Sequence, residues 1–172
     1  MAQPATIAEP TSLPDGHFSA RFLDVTLHSA FQPIFRLVKG EPVLFACEGL
    51  ARPFVDGLPI TPHQFFSRLN PSELLEAEQI LRQLHLRNAR SLPHQAKRLF
   101  LNFDPGAMQS MHNIAGDIDL LVREMRASSL NPNDVICEIV EHRAFDTAVM
   151  KEYVYALRAR GFIIAVDDYG SD

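Results

Sequence analysis

The feature that most limits the fold of this chain is a regular alternation of β-prone runs with segments of helical period. Residues 30–38 (AFQPIFRLV) and 43–52 (VLFACEGLAR) are β-rich and flank Lys39-Gly40-Glu41-Pro42, which supplies turn residues. This pattern predicts a hairpin-like, antiparallel pair. After Pro53 a polar loop with Gly57, Pro59 and Pro62 leads to a short helix over residues 63–69. Asn70-Pro71-Ser72-Glu73 then carries the marks of a helix start: Asn as cap, Pro at the first helical position, and Glu three residues on to reach back. Leu74, Ala77, Leu81 and Leu84 follow at helical spacing, and Ile80 widens the stripe. Residues 98–103 (RLFLNF) read as a buried strand stopped by Asp104-Pro105-Gly106, and residues 117–127 as a helix. Asn131-Pro132-Asn133-Asp134 turns the chain into a strand over 135–141 (VICEIVE). Asp146 can cap a helix in which Val149/Met150, Tyr153/Val154 and Leu157 repeat until Gly161 ends it. Residues 162–166 (FIIAV) are continuously apolar, as in a strand covered on both faces. Strands alternating with helices predict an α/β fold, either a mostly parallel sheet or a (β/α) barrel.

A length of 172 residues suits one domain with a sizeable core. The net charge of −5, without a block of five like charges, gives no footprint for a nucleic-acid polymer. Cys47 and Cys137 are too few for a disulfide framework and match no zinc spacing, which points to a reducing, cytoplasmic setting. Residues 1–17 lack a basic start and an apolar stretch and hold Pro4, Pro10 and Pro14, so they read as a flexible leader to one globular unit over 18–172. No run approaches the roughly eighteen apolar residues of a membrane span.

Metal-binding residue types fall at strand ends. Glu48 lies toward the end of the second strand, Asn102 toward the end of the third, Glu138 within the fourth, and Asp167-Asp168 directly after the fifth. All can converge on the carboxyl-terminal rim of one sheet, where (β/α) barrels build their active sites. Carboxylates with one amide carbonyl are hard donors suited to Mg²⁺, Mn²⁺ or Ca²⁺ rather than Zn²⁺. Two such ions can hold a phosphodiester and turn water into hydroxide. Structural roles stand beside these. Glu48 could pair with Arg52 on the same strand face, and Asn102 could bond the turn that follows it. Glu138 and Glu141, three apart, point to opposite faces. The seven histidines are scattered over leader, loops and helices and read as surface or packing groups, and the two cysteines as small core residues.

Taken in order, Gln32-Pro33-Ile34, Glu48-Gly49-Leu50-Ala51-Arg52, Leu101-Asn102-Phe103-Asp104-Pro105, Glu138-Ile139-Val140-Glu141 and Ala165-Val166-Asp167-Asp168-Tyr169-Gly170 resemble the signature of EAL domains, the bacterial cyclic-di-GMP phosphodiesterases. The resemblance runs from about Val25 to the last residue. It implies a TIM-like (β/α)₈ barrel with an antiparallel first strand, and hydrolysis of cyclic di-GMP to linear pGpG with Mg²⁺ or Mn²⁺. By motif, Glu48, Asn102, Glu138 and Asp167 would hold metal, and Asp168 would serve a second ion or the attacking water. Arg52 would pair with a substrate phosphate. Gln32 and Leu50 match positions at the nucleotide pocket, and Glu141 is supportive.

Several positions depart from the family pattern. Gly49 replaces the Ala of the eponymous Glu-Ala-Leu, a small-for-small change expected to be tolerated. Val140 stands where Thr is usual, Tyr169 where Phe is usual, and Asp172 where a second Gly is usual. The later motifs, a strand-borne lysine, a glutamate of the second metal site and a dimerisation loop, are absent. A compact barrel needs roughly 200 residues, so the expectation is a barrel truncated after about five strands and, alone, a poor catalyst. Three readings follow: part of a phosphodiesterase, a receptor that holds cyclic di-GMP without cutting it, or a half-barrel acting through a homodimer or another partner.

Overall fold

The computed structural model describes residues 9–93, 96, 98–108, 113–140 and 147–167, with backbone alone at 105, 140, 147 and 167. Strand β1 (Thr11–Ser12) pairs with β2 (Phe18–Phe22), and β2 with β3 (Val25–Val38). Between β2 and β3 Leu23 takes a left-handed conformation, φ 53°. That pairing escapes a sequence reading because Leu23-Asp24 lacks the glycine that usually marks so tight a turn. Strand β4 (Glu41–Val55) runs antiparallel to β3 along its whole length, from Val25 opposite Val55 to Val38 opposite Glu41. Lys39 and Gly40 connect them with φ of 54° and 90°, the mirror-image turn whose twist matches that of the strands. One bulge interrupts the ladder, where Ile34 faces Ala46 and Phe35 faces Leu44, leaving Phe45 as the extra residue.

The segment after Pro53, expected as a loop, is a further hairpin. Asp56 and Gly57 (φ 50° and 79°) return the chain as β5 (Leu58–Pro59) against the end of β4. Asp-Gly is a strong hairpin dipeptide, but the neighbouring prolines mask it. Helix α1 (Pro62–Phe66) starts one residue before the expected position, at a proline after Thr61, whose hydroxyl accepts from the Gln64 amide at 3.1 Å. Helix α2 (Pro71–Asn88) starts as predicted: Asn70 Oδ1 accepts from the amides of Ser72 and Glu73, and the Asn70 amide donates to Glu73 Oε2 at 2.9 Å.

Next come β6 (Leu99–Phe103), the short α3 (Pro105–Met108), α4 (Ile114–Ala127), β7 (Val135–Val140), α5 (Thr147–Ala159) and β8 (Ile163–Asp167). Helix α4 begins earlier than its apolar spacing suggests, because the Asn113 side chain caps it by accepting from the Gly116 amide. Gly161, at φ 88°, closes α5 as expected, and the Phe162 amide reaches back to the Leu157 carbonyl. The expected cap at Asp146 lies outside the described residues.

The eight strands of the described residues form one sheet in the order β1-β2-β3-β4-β6-β7-β8, with β5 on β4. Pairing is antiparallel through β4 and parallel from β4 to β8, so the five strands read from sequence are present with three short ones added. Leu99, Leu101 and Phe103 of β6 and Val135, Cys137 and Ile139 of β7 alternate onto one face, where Met125 of α4 and Tyr153 and Leu157 of α5 cover them. A second cluster packs Leu27 of β3 and Phe22 of β2 against Ile80 and Leu84 of α2 and Phe65 of α1. Burying each such side chain is worth about 1.5–3 kcal/mol, and this fixes which face of the sheet is left for polar residues. Both cysteines are buried and free. Among the described residues no helix is long and apolar enough to cross a membrane.

Candidate functional site

The register decides which side chains share the face opposite the helices. Gln32 pairs with Glu48 across the β3–β4 ladder. Glu48 is matched to Phe100 on β6, and Asn102, two residues on, therefore has the same parity. Asn102 pairs with Glu138 on β7, and Glu138 with Ala165 on β8, two residues before position 167. Five separate strands thus bring positions 32, 48, 102, 138 and 167 to one face, although they lie far apart in sequence.

Contacts agree with the register where side chains are described. Asn102 donates from Nδ2 to Glu48 Oε1 at 3.0 Å. That bond turns the Asn102 carbonyl oxygen into the amide's available donor for a cation. Glu48, Asn102 and Glu138 are each half-buried, and Gln32 and Arg52 are exposed. The expected alternative partner for Glu48 is absent: among the described residues Arg52 makes no ion pair with it, and Arg52 instead donates to the Ala51 carbonyl at 2.9 Å. Asn102 points at Glu48 rather than into the turn; it is Asp104 that bonds the turn, accepting from the Gly106 amide. Among the described residues no three His, Cys, Asp or Glu side chains stand close enough to hold a metal. The described donor set is two carboxylates and one amide, on three adjoining strands, all with oxygen donors. Asp168 and Glu141 lie outside the described residues, as does the side chain at position 167.

Beside this face is a cavity of about 230 Å³ lined by Leu50, Arg52, Pro62, Phe66, Glu78 and Asn102, among others. It joins three of the positions singled out in the sequence to α1 and α2.

A second polar cluster backs the first, and sequence reasoning missed it. Glu78 and Arg82, four apart on α2, form an ion pair at 2.9 Å with side chains 11% and 6% exposed. Arg82 also lies 3.6 Å from Asp117 of α4 and stacks its guanidinium 4.5 Å from the centre of the Phe103 ring. Asp117 accepts from the Tyr153 hydroxyl and from Gln79 Nε2. Glu78 also accepts from the Asp104 amide, at the turn that follows Asn102. Burial pushes the Glu78 carboxyl up to about 7 against the pull of Arg82. The cluster therefore ties the end of β6 to three helices. Its sequence signal was an opposite-charge pair at i,i+4 inside the apolar stripe of α2.

One histidine is also part of the support. His85 is buried behind β4, its Nδ1 is 2.8 Å from Ser29 Oγ, and burial lowers its pKa to about 3, so the ring is neutral. The expectation of a packing histidine suits it.

A model of the EAL domain matches residues 18–172. The chain belongs to the EAL domain family. No curated protein matches it. Among solved EAL-type structures, the manganese and cyclic-di-GMP complex of Klebsiella pneumoniae BlrP1 at pH 6 superposes with a TM-score of 0.68 at 24% identity, covering 98% of this chain and 39% of that one. The calcium and cyclic-di-GMP complex of the same protein gives 0.65 at 23%, over 85% of this chain and 35% of that one. The PaMucR phosphodiesterase in complex with c-di-GMP gives 0.66 at 24%, over 84% and 60%. These likenesses establish the fold, the TIM-barrel-like EAL architecture, and the chain spans about two fifths of BlrP1.

Proposed function

We propose that this chain carries the cation-binding and substrate-binding rim of a cyclic-di-GMP phosphodiesterase. The observation that carries the proposal is the Asn102–Glu48 hydrogen bond, with Glu138 paired to Asn102 on the next strand. Membership of the EAL family and the ligands of the solved neighbours support it.

In this reading Glu48, Asn102, Glu138 and Asp167 hold Mg²⁺ or Mn²⁺, and Asp168 serves a second ion or the attacking water. Bound there, the cations supply Lewis acidity toward a phosphodiester and a hydroxide at neutral pH. Asn102 fixes the rotamer of Glu48 and offers its carbonyl oxygen. Arg52, exposed at the cavity mouth, presents its guanidinium fork to a substrate phosphate. Leu50 and Gln32 contact the nucleotide, the first from the cavity wall. Residues 18–172 are the working domain of a cytoplasmic protein, and β1 (Thr11–Ser12) adds an edge strand to its sheet.

Calorimetric titration with Mn²⁺ and with cyclic di-GMP, followed by chromatography for pGpG, tests the proposal. Binding with product supports the enzyme. Binding without product marks a receptor, and neither binding nor product marks a half-barrel that acts through a second copy or another chain.

A further inference from the structure

We infer that His85 is a positioning residue for Glu48, acting through a contact that only glycine at position 49 permits. The inference rests on the proposal that Glu48 is a cation ligand.

Gly49 has the parity that faces α2, so its Cα lies against the helix while Glu48 faces the rim. A Cβ at position 49 would stand 2.9 Å from His85 Cγ, 3.0 Å from Cδ2 and 3.1 Å from Cβ. Cγ and Cβ are at the root of the side chain, so rotation about the Cβ–Cγ bond does not clear them. The ring is also held from the far side: Nδ1 bonds Ser29 Oγ on β3, and Phe31 meets the ring edge-on at 6.3 Å between centroids. Asn88, one turn further along α2, donates to the same Ser29 oxygen at 3.1 Å and to the Phe18 carbonyl at 2.9 Å. Helix, β3 and β2 are thereby fixed together, and β4 rests on the imidazole at the residue directly after Glu48.

The alanine usual in the Glu-Ala-Leu motif is therefore the wrong residue here. Its methyl group occupies space that His85 fills, and relief comes from lifting β4 off α2. Such a shift moves Glu48 against Asn102, whose 3.0 Å bond sets the carboxylate's place. Gly49 and His85 are one unit, in which the ring fills the space that a methyl group at position 49 would take.

A double-mutant cycle tests this with two readouts, thermal unfolding and Mn²⁺ affinity by calorimetry, on the full chain. Gly49→Ala is expected to lower Tm by about 5 °C and to weaken Mn²⁺ binding about tenfold. In a His85→Ala background, which removes the Cγ and Cδ2 contacts, the same change is expected to lower Tm by about 1 °C and to leave Mn²⁺ affinity within about twofold. Equal effects of Gly49→Ala in both backgrounds overturn the coupling. A Tm loss with unchanged Mn²⁺ affinity overturns the positioning role. Failure of the native chain to bind Mn²⁺ overturns the functional proposal and the positioning role with it, and the Tm arm then still reports whether the two residues share one space.

Discussion

Two sets of acids lie at the same end of the sheet, on opposite sides of β6. In front, Glu48 accepts one hydrogen bond from a neutral amide, and its partner across the ladder is a neutral glutamine. Behind, Glu78 and Asp117 share a guanidinium, and Asp117 takes two further donors from Gln79 and Tyr153. The rear acids are two carboxylates on one guanidinium, and each takes two donors: Glu78 Oε2 from Arg82 and the Asp104 amide, and Asp117 from Gln79 and Tyr153. Among the described residues, the front acid Glu48 keeps oxygen capacity that protein donors do not fill. Burial has opposite uses in the two places: behind β6 it makes a charged pair rigid, whereas in front partial exposure leaves room for a cation and its substrate.

The largest effect that would sharpen this contrast is on chemistry. Glu48→Gln is expected to weaken Mn²⁺ by on the order of 100-fold and to remove any pGpG that the native chain forms, with Tm within about 2 °C of native, read by calorimetry and product chromatography. Arg82→Met tests the rear cluster. It strands Glu78 and Asp117 in the interior, and the expected cost is about 3–5 kcal/mol, a Tm loss of about 10 °C by calorimetric scan. A loss as small as that of Glu48→Gln would break the comparison.

Acid titration separates two opposed groups. Glu78 titrates at about 7 in the fold against an ordinary 4.5, so the fold binds a proton the unfolded chain releases, and this contribution to stability fades as pH rises through that window. His85 titrates at about 3 against an ordinary 6.5, so its contribution is lost as pH falls from 6.5 toward 3. The two oppose each other where the windows overlap. Glu78→Gln removes the first, and the drop in Tm between about pH 7 and about pH 5 is expected to exceed the native drop by several degrees. The smallest effect is Tyr153→Phe, which deprives Asp117 of one donor; about 1 kcal/mol, or about 3 °C in Tm, is expected with Mn²⁺ affinity unchanged.

Much of the front cluster was legible before any coordinates. Oxygen-bearing residues at strand ends, together with parity, suffice to gather Glu48, Asn102 and Glu138, because a parallel ladder carries parity unchanged from strand to strand. The start of α2 was legible for a similar reason, since Asn70, Pro71 and Glu73 act within one turn. Strand β2 was not, as its turn into β3 depends on a positive φ at Leu23 that residue preference does not announce, and β5 was masked by the prolines that flank its Asp56-Gly57 turn. The rear cluster was hidden because Asp117 and Tyr153 look like ordinary helix residues until α4 and α5 bring them to Arg82. Gly49 was legible as a small residue, but the imidazole that makes smallness necessary comes from a helix 36 positions later.

The bulge at Phe45 divides the long hairpin into two independently registered halves. Beyond it, Phe35–Val38 and Glu41–Leu44 form a finger whose Phe35 and Leu37 are 57% and 76% exposed, and Arg36 and Arg98 stack on the Phe45 ring. Deleting a residue from the finger, or excising Phe45 itself, leaves Gln32 opposite Glu48. The bulge therefore gives the ladder one residue of slack: a single deletion beside it is absorbed by straightening the strand, with the carboxylate still on the rim.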